Sequence, residues 1–268
     1  MSIVMCFPEG RHKALTLSYD DGRFADRRLV DIFNRYGLKG TFHLNSGLLG
    51  TDDRIGADEV KTLYAGHEVS AHTLTHPTIA RCPNEQIVYE IMEDRRNLER
   101  IVGCTVRGMS YPNGSYNKRI KELLPGLGIE YARVVPSTGH YGMPDDWHEW
   151  QPTCHHNRDL MKHAEEFAGL QKSQYLYLMY VWGHSYEFDS DNNWELMEQF
   201  GQFIGGNPAI WYCTNMELVD YSKAFEGLKF AADLSFVYNP SALSVWLKVD
   251  GETVEVNGGQ QISLNKFA

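Results

Sequence analysis

From residue 14 to residue 225, short apolar β-leaning runs alternate with helical segments, a pattern that admits few folds. Residues 14–18, 40–44, 67–71, 131–135, 175–182 and 210–213 read as strands. Residues 24–36, 57–65, 83–102, 117–124, 157–170, 191–203 and 216–225 read as helices. Leu29, Ile32, Phe33 and Tyr36 share one side of the first helix, and Gly37 stops it. Pro83 suits the start of the longest helix and Gly103 its end. The run at 175–182 is apolar enough for a strand buried on both faces. Repeated strand–helix units imply a mostly parallel sheet, open or closed into a barrel. At 268 residues, an α/β barrel uses this length as one unit.

The last forty residues follow a different rule. Short alternating runs at 228–232, 236–238, 244–249, 252–256 and 261–264 are separated by Asn239-Pro240, Asp250-Gly251 and Asn257-Gly258-Gly259. They predict a small antiparallel β appendage, with a hairpin at Asp250-Gly251. The expected organisation is a barrel over residues 1–226 and the appendage over 227–268. Residues 139–153 break the strand–helix rhythm and read as a functional loop over one end of the barrel.

Composition narrows the partners. Lysine and arginine total 25 against 35 acidic residues, a formal charge of -10, with no basic stripe. Nucleic-acid binding needs clustered cations and is not expected. No apolar stretch reaches the ~20 residues of a membrane span, so no membrane partner is expected. The five cysteines are widely spaced and odd in number, which argues against a disulfide framework. With no basic-then-apolar leader at the start, the expected compartment is the cytoplasm.

Four strand ends carry chemistry. The first run ends in Asp20-Asp21-Gly22, and the run at 67–71 leads to His72 and His76. In parallel α/β folds, the C-terminal strand edge is where sites lie. The two histidines, four apart, share a face if the segment turns helically. Two imidazoles and one carboxylate suit zinc with a position left open, and cobalt, nickel or manganese also fit the ligand types. Arg107 precedes the turn Tyr111-Pro112-Asn113-Gly114, and an arginine beside a catalytic carboxylate keeps it ionised. His184 ends the most apolar run behind Trp182 and is a candidate general acid.

In this order, the four elements resemble the polysaccharide deacetylases of carbohydrate esterase family 4, the NodB-homology group. Leu17-Ser18-Tyr19-Asp20-Asp21-Gly22 resembles the family's Thr-Phe-Asp-Asp-Gly motif. The stretch from Gly66-His67-Glu68 to His72-Thr73-Leu74-Thr75-His76 matches its histidine motif. Arg107–Gly114 and the strand ending at His184 resemble two more, and the likeness covers roughly residues 13 to 220. The resemblance implies a distorted (β/α) barrel of about seven parallel strands and one divalent metal, zinc first, on Asp21, His72 and His76. It implies Asp20 as general base, Arg107 as its tether and His184 as general acid. The Tyr111 backbone would serve the oxyanion, and Trp150 and Trp182 would wall the pocket. Asp146 is the expected orienter of His184, and His155 or His156 could reach the site from their loop.

The implied substrate is an acetylated sugar or oligosaccharide, with Trp147, Trp150, Trp182 and Tyr186 suited to stacking on its rings. Two alternatives share the fold: an allantoinase-like or deformylase-like hydrolase of another amide, and a non-catalytic carbohydrate-binding relative. Intact base, ligand and acid positions argue against the last. Homo-oligomerisation stays open at this point.

Overall fold

The computed structural model describes residues 2–265. After a short β1 (Ile3–Cys6), the barrel strands are β2 (Lys13–Asp20), β3 (Gly40–Leu44), β4 (Glu68–Ala71), β5 (Gly108–Ser110), β6 (Tyr131–Arg133), β7 (Cys154–His155), β8 (Tyr177–His184) and β9 (Ile210–Tyr212). The helices are α1 (Asp26–Tyr36), α2 (Ala57–Leu63), α3 (Asn84–Val102), α4 (Lys118–Leu123), α5 (Leu160–Ala168), α6 (Tyr186–Ser190), α7 (Trp194–Ile204) and α8 (Asn215–Glu226). The strands form one parallel sheet in the order β6-β5-β4-β3-β2-β8-β7, with β9 on the lower half of β2. The parallel barrel sheet thus has seven strands in a row and a short eighth.

β2 is the axis. All eight of its residues are buried, as expected of a central parallel strand covered on both faces. Along one edge β3 pairs with residues 17–20 and β9 with residues 13–15, and β8 runs along the other for the full length. The sheet curls without a continuous seam between β6 and β7. Backbone from Trp150 to His156 spans that gap, bonding first to β6 through Ala132 and Val134 and then to β8 through Tyr180 and Trp182.

The helices bury apolar stripes against the sheet. In α1 the stripe is Leu29, Val30, Ile32 and Phe33, and Gly37 closes the helix at φ +67°, where a side chain would be strained. In α3 the buried face is mixed: Ile87, Ile91 and Leu98 share it with Glu90 and Asp94. Those two carboxylates face a loop described below.

β10 (Lys229–Phe230), β11 (Phe236–Tyr238), β12 (Val245–Val249), β13 (Glu252–Val256) and β14 (Gln261–Ser263) form two small antiparallel sheets. β12 and β13 make the hairpin around Asp250-Gly251. β1 pairs with β12, so the start of the chain completes the appendage. A second apolar cluster joins Val245, Leu247 and Val256 of the appendage to Ala14, Leu178 and Tyr180 of the barrel. Tyr221 of α8 clamps the joint, donating to the Cys6 carbonyl at 2.6 Å and accepting from the Trp246 N–H at 3.0 Å. The five cysteines are all free. No helix among the described residues is long and apolar enough to cross a membrane.

The loop at 139–153 does not cover the Asp20 end of the sheet. The Leu178 N–H bonds to the Tyr141 carbonyl, which places the loop beside the start of β8, away from His184.

Asp26, at the first turn of α1, is buried and accepts the Tyr64 hydroxyl at 2.5 Å. Burial, reinforced by the charges of Asp21 and Asp20, pushes its carboxyl up to about 7. The native state therefore keeps a proton that the unfolded chain releases near 4, and stability falls as pH rises through that window. Asp26→Asn carries no such proton. Its stability relative to the wild type is expected to rise between about pH 5 and about pH 8 in urea unfolding, and an equal gap at both would contradict this.

Candidate active site

The site is built on neighbouring strand ends of the parallel sheet. Asp20 ends β2, and its register partners are His43 on β3 and His184 on β8. Asp21 follows in the left-handed region at φ 80°, its N–H bonded to the His43 carbonyl at 2.9 Å. Gly22 continues that turn at φ +63°, and a Cβ there would come 2.9 Å from Leu44. The turn is therefore tight, and it aims the two adjacent carboxylates differently.

Asp20 is buried and forms an ion pair with Arg133 at the end of β6. Its other oxygen accepts the Ser110 hydroxyl at 3.0 Å. Burial alone would raise the Asp20 carboxyl. The Arg133 guanidinium, with His72, His43 and His184, outweighs burial and holds it well below the usual carboxylate range. The Arg133 side chain is fully buried, its guanidinium 4.5 Å from the centre of the Trp182 ring.

Asp21, His72 and His76 converge. Asp21 Oδ1 is 4.0 Å from His72 Nε2 and 3.8 Å from His76 Nε2, and it is buried without a hydrogen-bond partner. The segment holding the histidines is an irregular loop after β4, with Thr73 at φ 66° and His76 at φ 62°, not the helical turn expected from their spacing. Polar groups impose this shape. Asp94 of α3 accepts the N–H groups of Ser46 (2.7 Å) and His72 (2.9 Å). Glu90 accepts the N–H and hydroxyl of Thr75, and the Asn45 amide donates to the carbonyls of His72 and Thr73.

The His72 tautomer follows from its neighbours. Nδ1 lies 2.9 Å from the Ser110 carbonyl, which can only accept, and 2.7 Å from the Ser110 hydroxyl, whose own proton goes to Asp20, so Nδ1 carries the proton and Nε2 the free lone pair. Burial lowers the His72 imidazole, which favours the neutral ring that a metal needs. A buried carboxylate oxygen without a partner, facing two imidazole nitrogens, is a donor set that fits a divalent ion such as zinc.

His184 stands beside Asp20, on the neighbouring strand β8. Its Nδ1 is 3.4 Å from Glu187 Oε1, and its N–H donates to Glu187 Oε2 at 2.9 Å. Burial opposes a charged ring here, but the bond to Glu187 and the charges of Asp20, Glu187 and Asp21 lift His184 above its ordinary value. Glu187 is held well below the usual range: burial would raise it, but bonds from His155 and His184 prevail.

Several expected residues do other work. Arg107 does not reach Asp20; at the outer end of β5 it forms a fork with Asp220 (2.8 and 2.6 Å) and bonds Glu130 at 3.1 Å. Arg133 is the tether, and the available signal was a lone cation inside the apolar run at 131–135. Asp146 does not touch His184; it caps a short turn through the His148 N–H and pairs with Lys121. Glu187, three residues after His184 on the one-turn α6, takes that place. The Tyr111 N–H extends the β5–β6 ladder to the Arg133 carbonyl at 3.1 Å and is not free for an oxyanion. Trp150 is 1% exposed, packed between Tyr131 and Tyr180, and is not a pocket wall. Trp182 supports Arg133 from within, at 7% exposure. Tyr186 stays accessible, its ring 5.2 Å from that of His184. His155 and His156 are both near the site, and His156 is fully buried.

Residues 8–132, just under half of the chain, match the family model for polysaccharide deacetylase. A chitin deacetylase from Pestalotiopsis sp. is 28% identical over 131 residues, 48% of this chain and 44% of that protein. Chitin deacetylase 1 from Cryptococcus neoformans var. grubii is 28% identical over 115 residues, 42% of this chain and 24% of that protein. The chain thus spans less than half the length of these curated relatives. A putative polysaccharide deacetylase from Mycobacterium smegmatis shares the fold at a TM-score of 0.59 and 13% identity, covering 82% of this chain and 93% of that one.

The Asp20–Arg133 pair is buried, whereas the Arg107 network is half-exposed. Arg133→Met strands a buried carboxylate and is expected to lose about 3–5 kcal/mol in denaturant unfolding. Arg107→Met is expected to lose about 1 kcal/mol or less. The reverse order would restore Arg107 as the structural cation.

Proposed function

We propose that this chain, whose residues 8–132 match the polysaccharide deacetylase family model, removes acetyl groups from an acetylated sugar or oligosaccharide by hydrolysis. The observation that carries the proposal is one buried carboxylate, Asp20, paired with Arg133, with a donor trio on one side and His184 on the next strand.

In this reading Asp21, His72 and His76 hold a divalent ion, zinc first. When bound, such an ion polarises a carbonyl as a Lewis acid and makes water more acidic. Asp20, fixed by Arg133 and Ser110, accepts the proton of the attacking water. Its lowered pKa keeps it unprotonated, and its Oδ2 lies 3.8 Å from His72 Nε2, so the base sits beside the ligand trio. His184, oriented by Glu187 and with its pKa raised by the carboxylates around it, hands a proton to the departing sugar amine or alcohol. Tyr186, beside His184, offers a ring face for the sugar.

The test is acetate release from N-acetylated chitooligosaccharides and O-acetylated xylo-oligosaccharides, using metal-stripped protein with zinc added back. Release is expected only with added metal. Asp20→Asn should lower kcat by about 10²–10⁴-fold, the usual range for a removed general base, while still binding zinc. Formate or another acid in place of acetate would reject the acetyl group as the substrate. Near-native turnover of Asp20→Asn would reject Asp20 as the base.

A second prediction follows from the orienter. Glu187→Gln keeps the size of the side chain and removes the charge that holds the His184 ring. It is expected to lower kcat by about 10-fold or more with KM little changed, up to the ~10²–10⁴-fold that a whole general acid contributes. An unchanged kcat would remove Glu187 from the machinery.

A further inference from the structure

Beside the Asp21 trio the chain holds a second set of the same composition, two imidazoles and a carboxylate. His155 Nε2 lies 3.0 Å and His156 Nε2 3.5 Å from Glu187 Oε2, and one donor atom of each residue falls within 4.8 Å of the others. Donors around a tetrahedral zinc at ~2.0–2.1 Å stand roughly 3.3 Å apart, which these separations bracket.

His156 gives the independent observation. Its ring is fully buried, and neither nitrogen makes a hydrogen bond among the described residues. An unpaired buried imidazole is costly and calls for a partner. The fold nevertheless builds a slot for it. The ring stacks on Phe188 at 4.1 Å and faces Tyr19 at 5.7 Å. It also lies over Gly183, where a Cβ would fall 2.0 Å from Nδ1. Nδ1 thus meets β8 backbone, and Nε2 is the nitrogen turned to Glu187. The other two donors are also fixed: His155 by pairing of β7 with Trp182 on β8, and Glu187 by the His184 N–H.

We propose that His155, His156 and Glu187 form a second divalent-metal site, taking zinc or a similar borderline ion. The ion would bind Glu187 through Oε2 while Oε1 stays toward His184 Nδ1, so that it fixes the carboxylate that orients His184. The competing arrangement needs no ion. The Asn157 N–H approaches His155 Nδ1 at 3.2 Å, which leaves a proton on Nε2 to donate to Glu187. Metal binding requires that proton to move to Nδ1 and the Asn157 contact to open.

The test is the zinc content of protein that has been metal-stripped and then dialysed against a small excess of zinc, read by elemental analysis. Wild type is expected to hold two ions per chain, His155→Ala one, His76→Ala one, and the double variant none. Both substituted side chains are partly exposed, so the variants should fold; circular dichroism checks this. Loss of one ion in His155→Ala carries the proposal whatever His76→Ala does. One ion in wild type, kept by His155→Ala and lost by His76→Ala, would overturn the second site and leave His155–Glu187 as a hydrogen-bonded pair. One ion in wild type that His155→Ala loses would uphold the second site and reject the Asp21 trio. Zinc absent from the wild type would reject both.

Discussion

Asp20 and Arg133 are both buried, and neither could occupy its place without the other. Two charges taken out of water cost several kcal/mol each, and their attraction repays this only with good geometry and further polar contacts. Among the described residues, Ser110 from β5 donates to the carboxylate and the Trp182 ring from β8 faces the guanidinium, while His43 from β3 stands in register with Asp20, its ring without a hydrogen bond of its own. The pair therefore fixes how the ends of β2, β3, β5, β6 and β8 stand to one another. It also keeps Asp20 charged where burial would otherwise neutralise it.

The ligand trio depends on a second set of buried polar groups. His72 and His76 sit on irregular backbone with two residues at positive φ, a shape the chain would not choose alone. The buried face of α3 offers Glu90 and Asp94 where an ordinary core helix would offer only apolar side chains, and those carboxylates take up the loop's N–H groups. The same face that packs the helix thus shapes the site. These bonds to backbone N–H groups hold the loop in one shape.

Much of the barrel was legible because its period is strong. The strands at 40–44 and the helices at 84–102 and 215–226 stand within a residue or two of where apolar spacing and capping place them. Short strands were not. Gly108–Ser110 and Cys154–His155 are too brief to show a period, and tertiary pairing alone makes them strands. The same limit applies at the site. Asp20, Asp21, His72 and His184 were readable as candidates because each stands at or just past the end of a recognisable run, and His76 by its spacing from His72. Arg107 and Asp146 were misplaced, because contact across the sheet is set by strand order and sequence distance does not reveal it. Arg133 lies 113 positions from Asp20, and only the curl of β6 toward β2 brings them together. Glu187 was close in sequence, but its role required the turn of α6.

The most direct measurement is X-ray anomalous scattering at the zinc edge from crystals of the zinc-loaded protein. A peak is expected at about 2 Å from Asp21 Oδ1, His72 Nε2 and His76 Nε2, with the Asp20 carboxylate beside the ion, unligated and still paired with Arg133. An ion coordinated by Asp20 in place of Asp21, or no peak among these three residues, would contradict the division of labour between the two adjacent carboxylates.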